Sequence, residues 1–294
     1  MNIEDYDFEK EILSEPRETE HKISKRLRRF KDFYSCIRHI ASGYKEISLN
    51  GEYFNMNSIF YTSIIGTLES IEKILLDSKF NDAISLIRKY CDDIVMETYL
   101  SIIQKETYDK LNSIVSWKDI ANNRVFDWIK SKRPLLDEHP KKEIQKIIET
   151  FPKIFEILNL NTKDNLCLYN KINSLLYDNL HFTSFHNFLW NDASYIKKNN
   201  KTELGLLDNI FICITFLSSL HFAFIYEIHP EYFNDFDYFN DRDKYIDSID
   251  PPSVWRRKIE FPIQIFFSEV VYPFNQQLGD YLISLDLMDL DYGR

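Results

Sequence analysis

Arg88 and Asp92 stand four residues apart in the run Ser-Leu-Ile-Arg-Lys-Tyr-Cys-Asp-Asp-Ile-Val-Met-Glu over 85–97, the spacing that brings two side chains together on one face of a helix. A guanidinium can grip a phosphate or carboxylate with two parallel hydrogen bonds. Beside a carboxylate of its own chain it can instead fix the register of a helical core. The surrounding segment, 80–108, is apolar on almost every face, and at about 100° per residue Arg88 projects between Ile84, Val95 and Tyr99, with Asp93 on the opposite side. The pattern predicts a buried Arg88 that holds either Asp92 or a ligand. In the structural case Arg88→Ala would leave Asp92 buried and unpaired, at a cost of about 3–5 kcal/mol.

A second constellation is Leu-Tyr-Asp-Asn-Leu-His-Phe-Thr-Ser-Phe-His over 176–186. Asn179 shares an apolar helical side with Ile172 and Leu176, so its amide needs a partner, and Arg88 on a neighbouring helix can supply one. His181 lies on the other side if that helix continues. His181 and His186 are five apart rather than the four that align two metal ligands on one helical face, so no metal site and no cofactor are expected. Asp235, Asp237, Asp241 and Asp243 could ligate a divalent cation, but such short patterns are common in acidic loops and solvation is the simpler account. There is no serine nucleophile elbow, and no cysteine has an adjacent histidine.

The elements that must position these groups are helical. Ile23, Leu27, Phe30, Tyr34, Ile37, Ala41 and Tyr44 alternate spacings of four and three, one narrow seam along a first helix. That seam requires a partner helix, within the same molecule or in a homodimer through Ile23–Tyr44. Gly43 and Gly51 bracket its end; helices follow over about 53–77 and 80–108, a shorter one over 117–130, another around Ile144–Phe151 that Pro152 kinks or ends, and a longer one from about 162 to 180. The run Ile210–Tyr226 holds His221 and no Asp, Glu, Lys or Arg and is shorter than the roughly twenty apolar residues of a membrane span, which favours a central helix buried all round over the alternative, a span in a membrane-associated effector. Alternation around Phe261–Phe267 suits one short strand before a last helix near 275–285.

Composition bounds the rest. Six glycines in 294 residues leave little room for phosphate-cradling loops, and no G-x-G-x-x-G or Walker A pattern occurs. A net charge of -10 disfavours a general grip on a polyanion, although Lys22, Lys25, Arg26, Arg28 and Arg29 form one basic cluster, either the solvated side of the first helix or a patch for RNA or an acidic partner. Cys36, Cys91, Cys167 and Cys213 are isolated and fit reduced core thiols. With an acidic N-terminus lacking an apolar signal region, they place the chain in the cytoplasm. The expected organisation is an acidic lead-in over 1–18, a helical core over 19–230 with a candidate break at 131–140, and an acidic, aromatic loop and C-terminal subregion over 231–294.

The "LIRKYxDD" run followed far downstream by a "YDxLHxxS"-like segment, in a glycine-poor helical chain, resembles uncharacterised bacterial proteins distantly similar to the HEPN group. The resemblance spans about 53–229. It implies helical domains that dimerise and, at the dimer cleft, an arginine and a histidine in an R-x4-6-H motif that cut RNA without metal. Carried onto this chain it assigns Arg88 to orient phosphate and His181 to act as general acid or base. The chain departs from the motif, because no arginine precedes His181 at that spacing. The literal match, Arg133 to His139, is interrupted by Pro134 and followed by Pro140. The expectation is an all-α multi-helix bundle that serves as a non-enzymatic interaction or scaffold protein. The alternative is a HEPN-like metal-independent ribonuclease of a bacterial defence or toxin–antitoxin system. The geometric discriminator is whether Arg88 opens onto a cleft with His181 or is closed off by Asp92 or Asn179.

Overall fold

The structure, a computed structural model, describes residues 18–43, 47–49, 52–111, 140–164, 166–175, 191, 200–233 and 259–291. The 117–130 helix, the 131–140 break and the loop aspartates from Asp235 to Asp243 lie outside the described residues, apart from Pro140. The chain is an all-α multi-helix bundle. Helix α1 (Glu18–Gly43) buries Ile23, Leu27, Phe30, Tyr34, Ile37 and Ala41. Those residues meet α2 (Met56–Leu76) and the C-terminal helix α8 (Phe261–Phe266), so the seam docks within the chain. A small antiparallel hairpin, β1 (Ile47–Leu49) and β2 (Glu52–Phe54), joins α1 to α2, where the glycine pattern had indicated only a helix end.

Helix α2 begins where Asn55 Oδ1 accepts the Ser58 amide at 3.0 Å, a side-chain cap for an otherwise orphan donor. It ends at Ser78, whose positive φ of 59° reverses the chain while Lys79 N–H returns to the Ile74 carbonyl at 3.0 Å. Helix α3 (Phe80–Leu111) packs on α2, on α4 (Lys141–Thr150) and on α7 (Asn200–Ile228). Pro152 starts a separate short helix, α5 (Pro152–Ile157), because it lacks the amide hydrogen needed to continue α4; α6 (Cys167–Leu175) follows.

Helix α7 is the central buried helix. Its stretch Leu204–Ile228 is long and apolar enough to cross a membrane, yet 83% of its most apolar window is buried inside the chain. The expected strand over Phe261–Phe267 is instead helical, with Pro262 in the first turn of α8 and a π-helical turn over Phe267–Val271. The residues that read as alternating bury Ile263, Phe266, Phe267, Val270 and Val271, the three- and four-residue spacing of a helix face. This helix and α9 (Gln276–Ser284) share the core of α1 and α7. At Gly279 an added Cβ would fall 2.3 Å from a ring carbon of Tyr272. Gly279→Ala should therefore cost about 1–3 kcal/mol by forcing that ring aside, read as a lower denaturation midpoint at unchanged slope.

Candidate functional site

The most concentrated chemistry in the described residues lies at the centre of the bundle. Glu97 on α3 and His221 on α7 are 1% and 0% exposed, with Glu97 Oε2 2.9 Å from His221 Nε2. Glu97 also accepts from the Tyr61 hydroxyl of α2 at 2.9 Å and from Ser101 Oγ at 3.2 Å. On the far side of the imidazole, Nδ1 lies 3.0 Å from the Tyr34 hydroxyl of α1, which lies 2.8 Å from that of Tyr90, itself 2.6 Å from Ser218 Oγ. Four helices thus converge on one carboxylate and one imidazole, and each polar side chain of this relay from Glu97 to Ser218 meets the next. A carboxylate and an imidazole removed from water are tolerated because each has its partner and further hydrogen bonds.

Burial alone would raise the Glu97 carboxyl, but His221 at contact distance, the nearby His229 and the Tyr61 hydroxyl outweigh it and hold the group below its ordinary value. Burial and neighbouring hydroxyls and carboxylate push the Tyr34 and Tyr61 phenols well above theirs, so both remain protonated donors. A depressed carboxyl contributes stability that is complete above the unfolded value, 4.5, and is lost as pH falls through it toward the folded value. The stability gap between the wild type and Glu97→Gln should accordingly narrow as pH is lowered below that value in denaturant titrations. Glu227, raised by burial, acts in the opposite sense, which is why the difference between the two proteins is the quantity to follow.

A polar branch runs outward from this centre. Asn57 Nδ2 lies 3.2 Å from His229 Nε2, His229 Nδ1 lies 2.9 Å from Glu231 Oε1, and the His229 ring stacks on Tyr232 at 4.5 Å between centroids. Asn55 Nδ2 donates to the Tyr232 hydroxyl at 2.9 Å. These contacts fasten the end of α7 to the start of α2.

Arg88 is not buried. It sits on the half-exposed edge formed by Arg88, Asp92, Met96 and Tyr99, with side-chain exposures of 39% for Arg88 and 37% for Asp92. The expectation fails because α3 turns Ile87, Tyr90, Cys91 and Ile94 into the core, and the stripe assigned to Arg88 is the margin of that face. The arginine Nε is 3.4 Å from Asp92 Oδ1, its guanidinium lies 3.8 Å from the centroid of the Tyr169 ring, and the Tyr169 hydroxyl donates to the same Asp92 oxygen at 2.6 Å. Asp92 does close off Arg88, as one branch of the sequence reading had it, but at the surface. Arg88→Ala should therefore cost only about 1 kcal/mol or less in thermal or chemical denaturation, not the larger loss of a buried pair. Asp93, at 4% exposure, is the more buried acid, held by Lys89 Nζ at 2.7 Å and by Ser63 Oγ at 3.2 Å.

Asn179, His181, His186, Arg133 and His139 lie outside the described residues. Among the described residues, no group of three or more His, Cys, Asp or Glu side chains is arranged to hold a metal ion. A cleft of about 490 Å³ between α3 and α4 has Tyr99 and Ile103 facing Lys141, Lys142 and Lys146, with Lys146 paired to Glu106 at 2.5 Å. It is separate from the Glu97–His221 centre. The sequence did carry a signal for that centre: α7 offers one imidazole in a long apolar run, and Glu97 is the one acidic or basic side chain between Asp93 and Lys105 of α3. Two lone ionisable groups of complementary chemistry on two buried helices are candidates for each other. Fold and site together define an all-α bundle with a closed polar core. No family model, no curated protein and no solved structure matches the chain.

Proposed function

We propose that this chain is a non-enzymatic interaction or scaffold protein. The observation that carries the reading is the enclosure of Glu97 and His221, at 1% and 0% exposure. A general acid or base must come within hydrogen-bond reach of the proton it moves, and these two groups reach only side chains of their own bundle. Arg88, the candidate for orienting a phosphate, is engaged by Asp92 and Tyr169. Such an arrangement spends its charged groups on fixing how helices pack, and it leaves the surface to recognise a partner.

The test is expression of the wild type and His181→Ala in a bacterial host, with growth and total RNA followed together. The expected result is normal growth and intact RNA for both. Growth arrest with RNA cleavage that His181→Ala abolishes would overturn the reading in favour of the HEPN-like ribonuclease, with His181 as its acid or base.

A further inference from the structure

Hydrogens can be followed along the buried relay that starts at Ser218 and ends at Glu97. The Glu97 carboxylate, held below its ordinary value, only accepts, and its Oε1 takes the Tyr61 hydroxyl at 2.9 Å and Ser101 Oγ at 3.2 Å. His221 Nε2, 2.9 Å from Oε2, must therefore carry a hydrogen. A ring with its hydrogen on Nε2 offers Nδ1 as an acceptor. The group 3.0 Å from Nδ1 is the Tyr34 hydroxyl, a phenol that burial keeps protonated. Once Tyr34 gives its hydrogen to Nδ1, its oxygen accepts from Tyr90 at 2.8 Å, and Tyr90 accepts from Ser218 at 2.6 Å. Ser218, Tyr90, Tyr34 and His221 then each donate once, in one direction, with no added proton. The reverse order needs a second hydrogen on the ring and turns both phenols around together.

Of these groups only Tyr34 comes from α1; Tyr90 and Glu97 belong to α3, and Ser218 and His221 to α7. We propose that Tyr34 is a positioning residue and α1 a latch on the core: the Tyr34 hydroxyl donates to His221 Nδ1, fixes the ring hydrogen on Nε2, and so couples the seating of α1 to the contact between α3 and α7. Tyr34 from α1, Tyr61 from α2 and Glu97 from α3 face the imidazole, and among the described residues Tyr34 is the one donor to Nδ1. With Tyr34 withdrawn, Nδ1 is a buried acceptor without a donor, and the ring is no longer held to one tautomer. A binding partner that draws α1 off the bundle thereby loosens α3 from α7 as well. The coupling holds whether the chain is a scaffold or an enzyme.

The test is nuclear magnetic resonance at neutral pH of the full chain labelled with nitrogen-15 in its histidine rings, with His221 recognised by its contacts with the rings of Tyr34 and Tyr61. The expected spectrum shows His221 with a hydrogen on Nε2 and a bare Nδ1. Tyr34→Phe, which removes only the hydroxyl, should shift the Nδ1 resonance and speed exchange of the Nε2 hydrogen roughly tenfold, well beyond any change at the backbone amides of α3. A hydrogen on Nδ1 in the wild type would overturn the proposal, and that result needs no variant. So would an Nδ1 resonance that Tyr34→Phe leaves in place. An Nε2 hydrogen that exchanges faster only in step with the α3 amides would also overturn it, because the hydroxyl would then act on the bundle as a whole and not through His221.

Discussion

Replacing His221 with leucine should destabilise the protein by about 3–5 kcal/mol, the cost of leaving a buried carboxylate without its partner. Leucine fills much of the imidazole volume, so the loss is electrostatic rather than a cavity effect. Glu97 would keep the Tyr61 and Ser101 hydrogen bonds, but not the partner that holds its carboxyl below the ordinary range. Burial, no longer opposed by His221, should then raise the orphaned carboxyl, so that the loss relative to wild type should be smaller at acidic pH than at pH 7. Urea titrations at two pH values read both effects. A variant as stable as wild type at neutral pH would mean that Glu97 does not depend on His221.

Phe222→Ala is expected to be of similar size, about 3–5 kcal/mol, for a different reason. The Phe222 ring packs 5.5 Å from Phe33 of α1, 5.0 Å from Phe233, 6.0 Å from Phe266 and 5.7 Å from Phe267, centroid to centroid. It joins the first helix, the end of the central helix and the C-terminal helix in one aromatic cluster. Truncation should therefore lower the midpoint of a single cooperative unfolding transition. A separate early transition confined to the C-terminal residues would show that this region is an independent unit.

The helical class was legible because the periodicity is strong and glycine is scarce, and the central helix because Ile210–Tyr226 is apolar on every face. The seam residues Ile23 to Ala41 of the first helix are buried against α2 and α8 of the same chain, and Tyr44 lies outside the described residues. Periodicity misled where a helix has an amphipathic edge. Arg88 projects toward the direction of apolar residues, but α3 needs only part of its circumference for the core, and sequence angle alone does not say where that boundary falls. Alternation around Phe261–Phe267 read as a strand because two neighbouring core rows of a helix can mimic period two over a few residues. The Glu97–His221 pair was present as two lone polar residues, 124 positions apart, and their meeting depends on how α3 and α7 cross, which no local pattern encodes.

The most direct test of a closed polar core is a double-mutant cycle on Glu97 and His221, with Glu97→Leu, His221→Leu and the pair measured by chemical denaturation at neutral pH. The account predicts strong coupling: the double variant, in which no unpaired charge remains, should be more stable than the sum of the single losses implies by about 2 kcal/mol or more. Single losses that add to within about 0.5 kcal/mol would contradict it, because the two groups would then act independently in the core.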